Sequence, residues 1–145
     1  GDLITNGGFE AGLIGWEYYC VSISSTERHS GVRSVQLLPG GVSESRITQD
    51  VVLTPTVTYQ LGVWAKCRIE ASYNQPTLFR WGLYDPINDT WVQFRDDQTN
   101  LTTNWQQFTQ VITIPAGITV GRVAFYAQGG GSYMLLDDIE LLPDL

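Results

Sequence analysis

Arg80, Trp91, Gln93, Tyr126 and Gln128 are the side chains whose chemistry most needs explaining, because each falls on the polar side of an alternating apolar stretch. The other side of those stretches, Phe79, Trp81, Leu83, Val92, Phe94, Val123, Phe125 and Ala127, has the period of two expected of strands facing a core. Solvent-facing positions ordinarily go to residues such as Thr, Lys and Glu, whereas here they carry flat rings, amides and a guanidinium. Aromatic rings stack on the apolar C–H faces of sugars, and amides and guanidinium groups make planar hydrogen bonds to hydroxyls. Tyr19, on the stretch after Gly15-Trp16, and Gln49, on the stretch before Thr54-Pro55, join the set. The pattern implies a face that binds a sugar polymer, with an ordinary exposed β face as the competing reading.

A second group is acidic. Glu10 closes the run Asn6-Gly7-Gly8-Phe9-Glu10, in which paired glycines beside an Asn permit positive φ and let carbonyl oxygens turn toward a cation. Asp137 and Asp138 interrupt an otherwise apolar strand, Met134 to Leu142, where a carboxylate needs a partner or an ion. Hard oxygen donors from Glu10, Asp138 and turn carbonyls suit Ca²⁺ better than zinc. The alternative is that the two aspartates form a solvated strand end. Asp138 and Glu140 share strand parity and are the pair that a small glycoside hydrolase or lyase would use, although a metal ligand explains Asp138 better. His29, the one histidine, reads as a loop residue without an aspartate partner rather than as a general base. Cys20 and Cys67 lie 47 positions apart outside any zinc or redox motif, and fall where strand periodicity expects small buried thiols rather than a disulfide.

These residues need strands to position them. The 145 residues suit a single domain spanning 1–145, and five Trp, seven Tyr, five Phe and 15 Gly with only 16% charged residues favour an all-β architecture. Extended stretches are expected at 3–4, 16–24, 33–37, 45–53, 58–69, 78–84, 91–95, 105–114, 121–128 and 133–142. On the second of these, Trp16, Tyr18 and Cys20 are expected in the core. Gly, Pro, Asn and Asp turns separate the stretches at intervals of about ten residues without βαβ alternation, which predicts an antiparallel jelly-roll sandwich of two sheets. Val92 and Phe94 are expected inside, with Trp91, Gln93 and Arg95 sharing the opposite face. A net charge of −7 argues against nucleic acid or an anionic membrane surface as partner, and no apolar run approaches the length of a membrane span.

Five pieces of sequence carry a resemblance: Asn6-Gly7-Gly8-Phe9-Glu10 with Gly15-Trp16, Ser30-Gly31-x-x-Ser34, Tyr59-x-Leu61-x-x-Trp64-Ala65-Lys66, Trp105-x-x-Phe108 and Asp137-Asp138-Ile139. In order and spacing, over nearly the whole chain, they resemble the carbohydrate-binding modules of families 4, 9, 16 and 22. The resemblance implies a non-catalytic, galactose-binding-domain-like jelly roll that grips a single soluble β-1,4-linked glycan chain of glucan or mannan type. It also implies an extracellular, monomeric module within a longer chain, appended to a glycoside hydrolase, with one structural Ca²⁺ remote from the groove. Carried over by position, Glu10 and Asp138 would be side-chain ligands of that ion, completed by main-chain oxygens near Gly8 and His29. Tyr19 and Tyr126 would be stacking platforms, Trp91 a further one, and Gln49, Arg80 and Gln93 polar groove positions. A structural or docking sandwich within a secreted enzyme stands as the alternative.

Overall fold

A computed structural model describes residues 1–37, 44–68, 76–129 and 133–144. Ten strands, β1 (Glu17–Tyr19), β2 (Val21–Ser24), β3 (Ser34–Leu37), β4 (Ser45–Val52), β5 (Thr58–Cys67), β6 (Leu78–Asp85), β7 (Thr90–Asp96), β8 (Gln106–Thr113), β9 (Val120–Gln128) and β10 (Met134–Pro143), are joined by turns and one short 3₁₀ segment, Gln98–Asn100. They form two antiparallel five-stranded sheets, one in the order β1-β4-β9-β6-β7 and the other β2-β3-β10-β5-β8. This is the jelly-roll sandwich that the turn spacing predicts. Ile47, Trp81, Val123 and Phe125 from the first sheet meet Leu37, Leu61, Val63, Met134 and Leu136 from the second in one core. Trp81 stacks on Phe125 at 5.8 Å and its indole N–H donates to Asp97 at 2.6 Å, so the largest core ring also satisfies its polar atom.

The predicted strand at 16–24 is two strands in different sheets. Cys20, at φ 55°, turns the chain from one sheet to the other, and this corner undoes the alternation assumed for the segment. Trp16 is buried as expected, but Tyr18 is exposed on edge strand β1, and Cys20 is only half-buried at a corner rather than in a core position. Cys67 is fully buried, and no disulfide joins it to Cys20. Leu3 and Ile4 do not form a strand, although Leu3 N–H donates to the Leu141 carbonyl at 3.0 Å.

Two irregularities decide which faces the later strands present. Leu83 pairs with Gln93 but Tyr84 pairs with Trp91, so Val92 is an extra residue in β7 and reverses the facing of everything after it. In β10, Asp137 pairs with Trp64 and Glu140 with Gly62, leaving one residue too many between them, and Asp138 takes φ 49°. Asp137 and Glu140 therefore share a face, and Asp138 and Glu140 do not alternate as a pair.

The second sheet's outer face is roofed near its centre. Glu27 reaches over from the loop after β2 to ion-pair with Lys66 at 2.7 Å and Arg68 at 2.9 Å, while the His29 ring stacks on Trp64 at 3.7 Å. Burial pushes the Glu27 carboxyl up, but its hydrogen bonds and charge interactions with Lys66 and Arg68 together outweigh that and hold it below the usual carboxylate range. Leu135 and Asp137 are fully buried beneath this roof although they face outward from their strand.

Candidate functional site

The first sheet's outer face is built from three rows that run across its strands. Tyr19, Arg46, Tyr126, Arg80 and Asp96 are successive register partners from β1 to β7. Two residues along each strand lies the row Glu17, Thr48, Ala124, Gly82 and Phe94, and two further, or three on the bulged β7, the row Asp50, Arg122, Tyr84 and Trp91. The outer rows are four residues apart, about 13 Å at the usual strand rise. Side-chain size gives this face its relief, because the middle row is low at Thr48, Ala124 and Gly82 while long side chains stand on either side. At Gly82 a Cβ would lie 2.2 Å from the Gln93 carbonyl oxygen, so β7 approaches there in a way only glycine permits.

Two adjoining hollows open on this face and share Tyr126 and Arg122. One, of about 340 Å³, is polar and is lined by Glu17, Arg46, Thr48 and Asp50. The other, of about 330 Å³, is bounded by Arg80, Tyr84, Trp91 and Gln128, with Glu44 at its rim. Trp91 anchors the rings, edge-on to Tyr84 at 5.5 Å and to Tyr126 at 5.9 Å, and tilted against Phe94 at 5.2 Å. Guanidinium groups lie over two of the face's rings, Arg46 over Tyr19 at 5.0 Å and Arg80 over Phe94 at 4.8 Å. Arg122 holds Asp50 through two bonds of 2.7 and 3.3 Å, and Arg46 holds Glu44 at 3.0 Å. Burial, reinforced by Glu44, raises the Tyr126 phenol above its ordinary value, so it stays a neutral O–H donor. Flat rings, fixed cations and a low floor can stack sugar rings and bond their hydroxyls.

Tyr19, Arg80, Trp91, Tyr126 and Gln128 all lie on this face, as the sequence pattern predicts. Gln49 does not. It is buried on the core side of β4, where its amide accepts from Thr5 N–H at 2.9 Å and donates to the carbonyls of Thr5 at 3.0 Å and Gly15 at 3.1 Å, tying down the N-terminal segment. Gln93 is also turned away, because the extra residue Val92 points it toward the second sheet, where it donates to Gln110 Oε1 at 3.2 Å and the Val111 carbonyl at 3.1 Å. The same reversal brings Phe94, expected in the core, out beside Trp91, 45% exposed. Arg46, Tyr84 and Arg122 were not singled out from the sequence; their parity with Tyr126 and Arg80 was the signal that could have found them.

The acidic residues gather at a different corner. Glu10 accepts the backbone N–H groups of Val32 and Arg33, both at 3.0 Å, and Asp138 Oδ2 meets His29 Nδ1 at 2.6 Å and the Ser30 hydroxyl at 2.7 Å. His29 thus has an aspartate partner, contrary to its reading as an isolated loop residue, but the Ser30 hydroxyl donates to that aspartate and not to the ring. Asp137 accepts the N–H groups of His29, Ser30 and Asp138, and burial pushes its carboxyl up to about 6. Glu10, Gly8, His29 and Asp138 are therefore brought to one corner. In type they fit a hard cation, since Asp138 Oδ1 takes no hydrogen bond among the described residues and faces Gly8, where a Cβ would lie 3.4 Å away. Among the described residues no three His, Cys, Asp or Glu side chains are arranged to hold an ion, so main-chain oxygens would have to complete its shell.

Comparison with known proteins agrees with this geometry. The family described as "Carbohydrate binding domain" (CBM_4_9) matches residues 1–133. Exochitinase 1 of Streptomyces olivaceoviridis is 31% identical over 143 residues, a match that takes in 97% of this chain and 21% of that enzyme, so the chain spans about a fifth of its relative's length. Among solved structures, a family 16 carbohydrate-binding module superposes with a TM-score of 0.72 at 25% identity, over 97% of this chain and 99% of that one. A family 61 module solved with β-1,4-galactotriose superposes equally well, TM-score 0.72 over 99% of both chains, at 17% identity, which speaks to the fold alone. With two five-stranded sheets, an aromatic and arginine-lined face and a family match over most of its length, this chain belongs to the carbohydrate binding domain family and is a non-catalytic carbohydrate-binding module.

Proposed function

We propose that the three-row face grips a single soluble β-1,4-linked glycan chain of glucan or mannan type, lying across the strands between the outer rows. The observation that carries this reading is the placement of Trp91 edge-on to both Tyr84 and Tyr126 beside the low floor of Gly82 and Ala124. Exposed ring faces there would stack on successive sugars, while Arg46, Arg80, Arg122 and Gln128 would bond their hydroxyls. Tyr19, with Arg46 above it, extends the platform to the β1 edge. The module would serve as a monomeric unit of a longer extracellular chain and keep an appended glycoside hydrolase on its polymer. The match to an exochitinase supports such a setting and adds β-1,4-linked N-acetylglucosamine to the sugars worth testing. At the other corner, Glu10 and Asp138, with main-chain oxygens near Gly8 and His29, would hold one structural Ca²⁺ that fastens the 29–33 loop and takes no part in sugar binding.

Titration calorimetry against cellohexaose, mannohexaose, xylohexaose, chitohexaose and laminarihexaose tests the groove. Binding to a β-1,4-linked member, lost in Trp91→Ala, is the expected result. Binding to laminarihexaose alone would refute the linkage, and silence with every sugar would leave a spacing or docking domain as the better reading.

A further inference from the structure

Arg80 is the arginine on the binding face that no carboxylate among the described residues answers. Of the three arginines there, Arg46 is ion-paired to Glu44 and Arg122 to Asp50, whereas no carboxylate among the described residues comes within 4.0 Å of Arg80. Its cross-strand partner Asp96 could have supplied one. Asp96 instead turns Oδ1 to the backbone N–H groups of Phe79 at 3.2 Å and Gln98 at 3.0 Å. The Arg80 guanidinium lies over Phe94, its central carbon 4.8 Å from the ring centre, and its Nε is buried without a hydrogen-bond partner among the described residues. An unmet charge-assisted donor at a buried position is costly unless a ligand completes it.

The two hollows differ accordingly. In the one lined by Glu17, Arg46, Asp50 and Arg122 the charges cancel. The one containing Arg80, Arg122 and Glu44 carries one positive charge in excess, within a chain of net charge −7. We infer that the Arg80 hollow recognises a sugar carboxylate, so that the preferred ligand is a largely neutral chain bearing a uronic acid at that position. This rests on the groove reading proposed above and names the sugar class that the groove selects. A planar carboxylate matches the guanidinium fork, and Trp91 and Tyr126 flank it with apolar surface that strengthens the pairing. The neutral hollow next to it, with its two acids, and the overall negative charge disfavour a chain charged on every sugar.

Two matched pairs of probes test this by calorimetry: cellohexaose with and without a single C6 carboxylate, and xylohexaose with and without a single glucuronate branch. In 50 mM salt the acidic member of at least one pair is expected to bind about tenfold tighter, as one charge-assisted hydrogen bond allows. That advantage should shrink in 500 mM salt and vanish in Arg80→Gln. A neutral member that binds as well as its acidic twin overturns the inference and leaves the groove reading intact, as does binding to mannohexaose or chitohexaose with silence from both pairs. Silence from the matched pairs, mannohexaose and chitohexaose together removes both. Should Arg80→Gln fail to fold, the salt dependence and the matched ligands decide the matter on the native chain.

Discussion

Trp91 and Tyr126 meet edge to face at 5.9 Å although β6 runs between their strands. They stand in opposite outer rows, and the contact crosses β6 near Gly82, where no side chain intervenes. The rings are therefore held by each other and by Tyr84 before any sugar arrives, which lowers the entropic cost of ordering them on binding.

Truncating either ring should weaken glycan binding by about 1–2 kcal/mol, a loss of roughly five- to thirtyfold. Calorimetry on Trp91→Ala and Tyr126→Ala checks this. Because the rings brace each other, the double variant should lose less than the sum of the two single losses.

Gln49 ties the N-terminal segment to β4 from the core side. Gln49→Ala removes a buried amide that makes four hydrogen bonds to Thr5 and Gly15, so it should cost about 1–3 kcal/mol of stability while leaving glycan affinity unchanged. A thermal melt paired with calorimetry separates the two effects. A drop in affinity without a drop in melting temperature would put Gln49 back in the groove.

Gly82→Ala should damage both properties. The new Cβ would sit 2.2 Å from the Gln93 carbonyl oxygen, and relief requires moving β7 with Trp91 and Phe94 on it. Overpacking of this kind costs about 1–3 kcal/mol, read in a denaturant titration, and the displaced Trp91 should weaken sugar binding in the same sample.

Glu27 sets an acid limit on stability. Its folded pKa is lowered, so its contribution is full above its ordinary value of 4.5 and is lost as pH falls through the depressed value. Melts of Glu27→Gln against the native chain should differ by about 1–3 kcal/mol near neutrality and converge on acidification below pH 4.5. A difference that stays constant into acid would mean the two ion pairs contribute nothing.

Calcium should raise the melting temperature through the corner of Glu10 and Asp138 while leaving sugar affinity unchanged. At a hundredfold excess over its Kd, an ion bound only by the folded state adds about 2.7 kcal/mol. Melts in calcium and in chelator, on the native chain and on Asp138→Asn, test this. Identical melts of a fully stripped native chain would exclude the ion.

The class of fold is legible in the order of the residues, and so is the facing of most of the candidate groove. Strand periodicity and turn chemistry predict two antiparallel sheets, because a period of two must bury one side of each strand whatever its neighbours are, and they put Tyr19, Arg80, Trp91, Tyr126 and Gln128 on the outer face of the first sheet. The places where that period breaks are set by pairing between distant strands. One extra residue at Val92 turns Gln93 inward and Phe94 outward, and one at Asp138 separates it in facing from Glu140. A bulge arises from pairing with a neighbouring strand, so nothing local to the sequence announces it. Gln49 is a different case, since its parity was always compatible with the core; it is buried because the N-terminal segment offers it Thr5 and Gly15 as partners, and those partners lie 44 and 34 residues away. Pairing and burial across such distances exist only once the chain has folded.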